Sequence, residues 1–150
     1  MTEAKLEALL CAKISALELD GLAVISTWGT ADQGKVAAAL EDPSAIVVET
    51  NMLPRAYDTF TIPYAAISGS VRLSVSPASD PTRSRFLAAS DSIMALFAGW
   101  QKSISTVVSD FSISSEFTPV GFRLAGGETD MEGDEWALTI SFVIQGVVLN

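Results

Sequence analysis

Histidine is absent from this chain of 150 residues, cysteine occurs once, and nine bases stand against eighteen acids. Without histidine there is no imidazole base, no Ser-His-Asp or Cys-His arrangement, and no histidine-bound metal centre. Cys11 alone closes no intrachain disulfide and gives no sign of an oxidising compartment. Within an amphipathic helix it reads as a small buried apolar residue. The net charge of −9 excludes a surface that grips nucleic acid through its phosphates, because such a surface must be cationic. DNA that passes without being held remains compatible with that charge. No apolar run reaches the roughly 18 residues of a membrane span. The longest, residues 136–149, is broken by Thr139, Ser141, Gln145 and Gly146. The N-terminus, MTEAKLEALLCAKI, carries acids where a secretory signal carries only bases, so synthesis in the cytoplasm is expected.

What is present is a single α+β domain. The segment from Asp80 to Trp100 is the most clearly helical: Phe86, Ala89, Ile93, Phe97 and Trp100 recur at steps of three and four. Asp80 can cap its first N–H groups and Pro81 suits the first helical position. Thr2 to Leu19 forms an opening helix, with Asp20-Gly21 as its stop. Leu22 to Ser26 and Ala45 to Thr50 read as strands, the second buried on both faces for part of its length. Val36 to Leu40 makes a helical turn or two before Pro43, and Asn51 to Pro63 is a loop with an extended portion around Phe60.

From Ala65 to Ser76, Ile67, Val71, Leu73 and Val75 alternate with Ser68, Ser70, Arg72, Ser74 and Ser76. Ile104 to Ile113 reads as a further strand, and Val120, Phe122 and Leu124 alternate in another. Ala125 to Glu135 is an acidic, glycine-containing loop. The final strand puts Trp136, Leu138, Ile140, Phe142, Ile144 and Val148 on one side. The pattern predicts a mostly antiparallel sheet with the N-terminal and central helices packed on one face.

Two motifs carry potential chemistry. Gly29 to Val36 (GTADQGKV) matches the phosphate-binding loop G-x-x-x-x-G-K-[ST] up to its lysine, Lys35. The hydroxyl that would hold magnesium is replaced by Val36, and Pro43 cuts short the helix whose dipole would face the phosphate. A surface turn is the better reading. Glu128, Asp130, Glu132, Asp134 and Glu135 fall within eight residues, with alternate acids around Gly133. Calcium loops use oxygen ligands at fixed spacing with a glycine and a distal glutamate, both misplaced here. A solvated hairpin tip fits better, and a charged tip offered to a partner or an aqueous channel is a third use. No cofactor or metal is implied.

Serines are the most informative polar residues: Ser68, Ser70, Ser74 and Ser76, then Ser109, Ser112, Ser114 and Ser115. Serine is a poor strand former, so such runs mark a sheet face that is neither core nor strongly charged. Either that face is simply solvated, or it is flat and meets a neighbouring subunit.

The order of elements is an opening amphipathic helix, short strands, a serine-rich strand, an Asp-Pro-capped helix, a strand pair with a charged loop, and a last strand GDEWALTISFVIQGVV. This order resembles the tail-terminator (tail-completion) proteins of long-tailed bacteriophages, and more loosely the neck proteins beside them. The resemblance is one of layout and carries over no motif residue. It implies a non-enzymatic virion protein, made in the host cytoplasm, that assembles as a homo-oligomeric ring, usually of six copies. Such a ring caps the tail tube protein, stops its polymerisation, and joins a head-completion or neck protein, while DNA slides through without specific binding. The candidate lumen or docking residues are then Glu128, Asp130, Glu132, Asp134 and Glu135, with Lys35 and Arg55 from the two other loop segments, Trp28–Lys35 and Asn51–Pro63. The reading from another class is a small enzyme or a ligand- or nucleotide-binding domain with its pocket between the central helix and the sheet.

Overall fold

The computed structural model describes residues 2–26, 33–57, 64–132 and 135–149. Its elements in order are α1 (Thr2–Ser15), β1 (Leu22–Ser26), α2 (Gln33–Leu40), β2 (Ile46–Met52), β3 (Ala56–Tyr57), β4 (Tyr64–Val75), α3 (Ser84–Lys102), α4 (Ile104–Phe111), β5 (Phe117–Glu132) and β6 (Glu135–Val148). The strands form one sheet in the order β1-β2-β4-β6-β5, and the two-residue β3 pairs with β4. Among the described residues, only β1 and β2 run parallel, joined through α2; every other pairing is antiparallel. The fold is therefore the expected α+β arrangement. No helix among the described residues is long and apolar enough to cross a membrane.

The inner face of the sheet is built by alternation. Ile67, Val71, Leu73 and Val75 of β4 meet Leu138, Ile140, Phe142 and Ile144 of β6, and all are buried. Leu6, Leu10 and Ile14 form the buried stripe of α1, four residues apart and fully enclosed. From α3 come Phe86, Ile93, Phe97 and Trp100. Trp100 meets Phe97 edge-on at 5.1 Å and Phe111 at 4.7 Å, while Phe122 stacks on Phe142 at 5.6 Å. These rings fill the space between the central helix and the sheet, and the indole Nε1 donates to Asp110 at 2.8 Å. Gly146 is needed where Phe117 crosses β6: a Cβ there would meet the Thr118 carbonyl oxygen at 2.7 Å.

Several boundaries differ from the sequence reading. The opening helix ends at Ser15 rather than Leu19, and Glu18 turns the chain in the left-handed region at φ 52°. Gly21 lies at φ 77° and serves β1 rather than α1: its carbonyl accepts the Ile46 N–H at 2.9 Å. The central helix starts at Ser84, not at Pro81. Residues 80–83 form a turn that closes with Arg83 at φ 62°. Asp80 nevertheless caps the helix, since its carboxylate accepts the N–H groups of Arg85 (3.0 Å) and Phe86 (2.8 Å). The Arg83 guanidinium lies 4.2 Å from the centre of the Trp136 ring, whose Nε1 donates to the Asp80 carbonyl.

The segment expected as a strand over Ile104 to Ile113 is instead helix α4. Its β-branched residues suggested a strand, but Val107 and Phe111 fall four apart and both are buried. Ser103 caps the helix, accepting the Thr106 N–H at 3.4 Å. The second serine group is thus not on a sheet: Ser109 and Ser112 belong to α4 and its end, and 114–115 form a turn. The acidic segment 125–135 is not a loop either. Residues up to Glu132 continue β5, paired one by one with β6 as far as Glu132↔Glu135. Hairpin pairing with β6 overrides the poor strand propensity of glycine and aspartate here. Within Asn51–Pro63, residues 51–52 end β2 and 56–57 form β3. The extended portion expected around Phe60 lies outside the described residues.

Candidate interaction surface

Helices α1, α3 and α4 enclose the inner face, so the outward residues of β2, β4, β6 and β5 form a second surface. Register places them in cross-strand rows about 4.8 Å apart from strand to strand. One row is Glu49, Arg72, Thr139 and Glu128. The next, two residues along, is Asn51, Ser70, Ser141 and Gly126. The third carries Ser68, Val143 and Arg123. Acids on this face stop at the first row. Among the described outward positions beyond it there is none, and Arg123 stands exposed.

Between the second and third rows lies a shallow hollow of about 240 Å³, lined chiefly by Asn51, Ser68, Ser70, Ala125, Ser141 and Val143. A β-bulge between Leu124 and Gly126 brings Ala125 to its edge. At the other side, Arg72 reaches past the Ser74–Ala137 pair toward Glu135, at 4.0 Å. Ser74 and Ala137 are buried although they face outward, and so is Val47, where α2 touches β1 and β2. Burial raises Glu49 above the ordinary carboxylate range; the Arg72 charge pulls it back and the Glu135 charge pushes it further up.

The sequence-derived candidates separate into three places. Glu128 is exposed on β5, Glu135 is half-buried at the start of β6, and positions 130 and 132 are paired along β5. Asp134 lies outside the described residues. Glu128 therefore stands on a paired strand and not in a loop, while positions 132 and 135 are the last pair before the turn of the expected hairpin. Lys35 is exposed in the first turn of α2, remote in sequence and fold from that edge. Gln33, Gly34 and Val36 of the phosphate-loop match also lie in α2, where a turn was expected, and 29–32 fall outside the described residues. Arg55 is a structural anchor. It donates through its backbone N–H, Nε and Nη2 to the buried Glu3 carboxylate at 2.6–3.1 Å, fixing the start of α1 to the segment after β2. Arg123 was missed as a candidate, although the alternation of Phe122 and Leu124 already turns it outward.

On the opposite side, an open groove of about 460 Å³ runs between α1 and the α4–β5 turn, lined by Lys5, Ala8, Leu9, Ser112, Ile113 and Ser114. Its ends are tied by two ion pairs, Lys5–Glu116 and Lys13–Asp110 (3.0 Å). Cys11 is half-buried and shares a hydrogen bond of 3.1 Å with Thr50. Burial lifts its thiol above the ordinary range, and the Glu7 charge adds to that, so the reactive thiolate is disfavoured. Among the described residues, no three His, Cys, Asp or Glu side chains are grouped to hold a metal ion.

No model of a known protein family matches this chain, and no curated protein matches it either.

Proposed function

We propose that the chain is a structural subunit that works by fitting against copies of itself and other virion parts, as a tail terminator of a long-tailed bacteriophage. The observation that carries this reading is the outer sheet face. A broad field of hydroxyl and amide side chains is bordered by the exposed Glu128 on the paired strand β5. Small hydroxyls on a flat sheet accept close approach by another protein surface and bond to it readily. An acidic rim repels DNA phosphates, which suits a channel through which DNA slides without sticking. In this role the chain forms a ring of about six copies at the end of the tail tube and presents a surface to a neck protein. The ring number rests on the layout resemblance.

The test is tube growth. Tail-tube protein encoded beside this chain is polymerised with and without it, and tube lengths are measured by electron microscopy. A shortened, narrow length distribution with the chain present supports the role. Unchanged lengths at saturating concentration contradict it.

A further inference from the structure

Opposite charges stand on the outer face at two places that a twofold axis brings together. Arg123 and Glu128 of β5 both face outward and are exposed, on either side of the bulge at Leu124 and Gly126. Their partners on β6, Val143 and Thr139, are four residues apart, so the two charges are separated by roughly 13 Å along the strands. Midway between them runs the row of Asn51, Ser70, Ser141 and Gly126, which contains no large side chain.

We infer that two copies of this chain pair through this face, about a twofold axis lying along the Asn51–Gly126 row. Arg123 of each copy then meets Glu128 of the other. In such an isologous contact, each residue faces its counterpart at equal distance on the opposite side of the axis. The row of Glu49, Arg72, Thr139 and Glu128 therefore lies over Ser68, Val143 and Arg123 of the second copy.

Charge selects a second copy as the occupant. Two molecules of net charge −9 repel over most orientations. One row of this face carries two acids and one arginine, Glu49, Glu128 and Arg72, and the other carries Arg123 with no acid, so inverting one copy on the other sets Glu128 against Arg123. The small residues at the axis leave the two hollows next to each other, one on either side of it, with room for waters that bridge the serine hydroxyls. A contact so polar is weak and sensitive to salt. The inference goes beyond the tail-end role: such a pair is a form of the free chain, and it separates before this face meets other virion parts or DNA.

Sedimentation velocity of the full chain over a concentration series tests this, with R123E, E128R and the combined R123E/E128R variant. Both side chains are exposed, and thermal melts establish that each variant folds. The wild type is expected to form a reversible dimer that weakens as salt is raised. Each single reversal should weaken association by about tenfold or more, and the combined reversal should restore it. Association unaffected by the single reversals, or not restored by the pair, overturns this contact; the tube-length measurement tests the tail-end role separately. A wild type that sediments as a monomer at every concentration overturns it as well.

Discussion

Glu3 and Arg55 illustrate how single residues hold the N-terminal helix in place. Burial pushes the Glu3 carboxyl up, but the hydrogen bonds and charge of Arg55 outweigh it and leave the group below its ordinary range. Glu116 is likewise held down, chiefly by its hydrogen bond from Lys5. A carboxylate depressed in the folded state contributes stability above the unfolded range and loses it as pH falls through the folded value. Acid therefore loosens α1. Arg55→Ala should cost about 2–3 kcal/mol in urea unfolding at neutral pH, since it leaves a buried carboxylate without its strongest partner. Arg55→Lys should cost less, retaining the charge but not the paired geometry.

Glu49 works in the opposite sense. Its raised value means that the protonated form suits the fold, so its contribution is present at low pH and is lost as pH rises through the folded value. Glu49→Gln should raise the melting temperature by about 1–3 °C near neutral pH. The difference should close as pH is lowered through the ordinary carboxylate range. A Gln variant less stable at neutral pH would show that the attraction to Arg72 dominates.

At the scale of elements, the start of α3 depends on one side chain. Asp80 is almost fully buried and supplies acceptors to two orphan N–H groups, so Asp80→Ala should cost about 2 kcal/mol. Hydrogen exchange at the Arg85 and Phe86 amides should accelerate more than at amides of the inner strands. Sequence made this cap legible, because an aspartate before a periodic apolar run points to a helix start. The left-handed Arg83 was not legible, since its place depends on Trp136, more than fifty residues away.

The same contrast runs through the other elements. β4 and β6 were readable because Ile67, Val71, Leu73 and Val75, and Leu138, Ile140, Phe142 and Ile144, alternate with polar or outward residues and are all buried. Helix α4 was misread because Ile104, Val107 and Val108 favour strands locally, whereas burial of Val107 and Phe111 beside Trp100 decides for a helix. The acidic stretch was misread because strand β5 there exists only through pairing with β6. Of the candidate surface, the serine alternation and the acids were visible in sequence. Their placement in neighbouring rows, with Arg123 beyond them, required the register.

At the scale of the molecule, the two faces of one sheet carry different work. The inner face, under α1, α3 and α4, supplies the aromatic and aliphatic core that fixes the fold. The outer face is polar and divided by charge, with a hydroxyl field on one side and acids on the other. In the proposed role, such a surface meets other proteins and its acids keep a passing polyanion from sticking.

Cryo-electron microscopy of tail tubes incubated with this chain tests that account most directly. It predicts a closed ring of density at one tube end, with an open channel edged by the strand that carries Glu128. Bare tube ends in the presence of excess folded chain would contradict it.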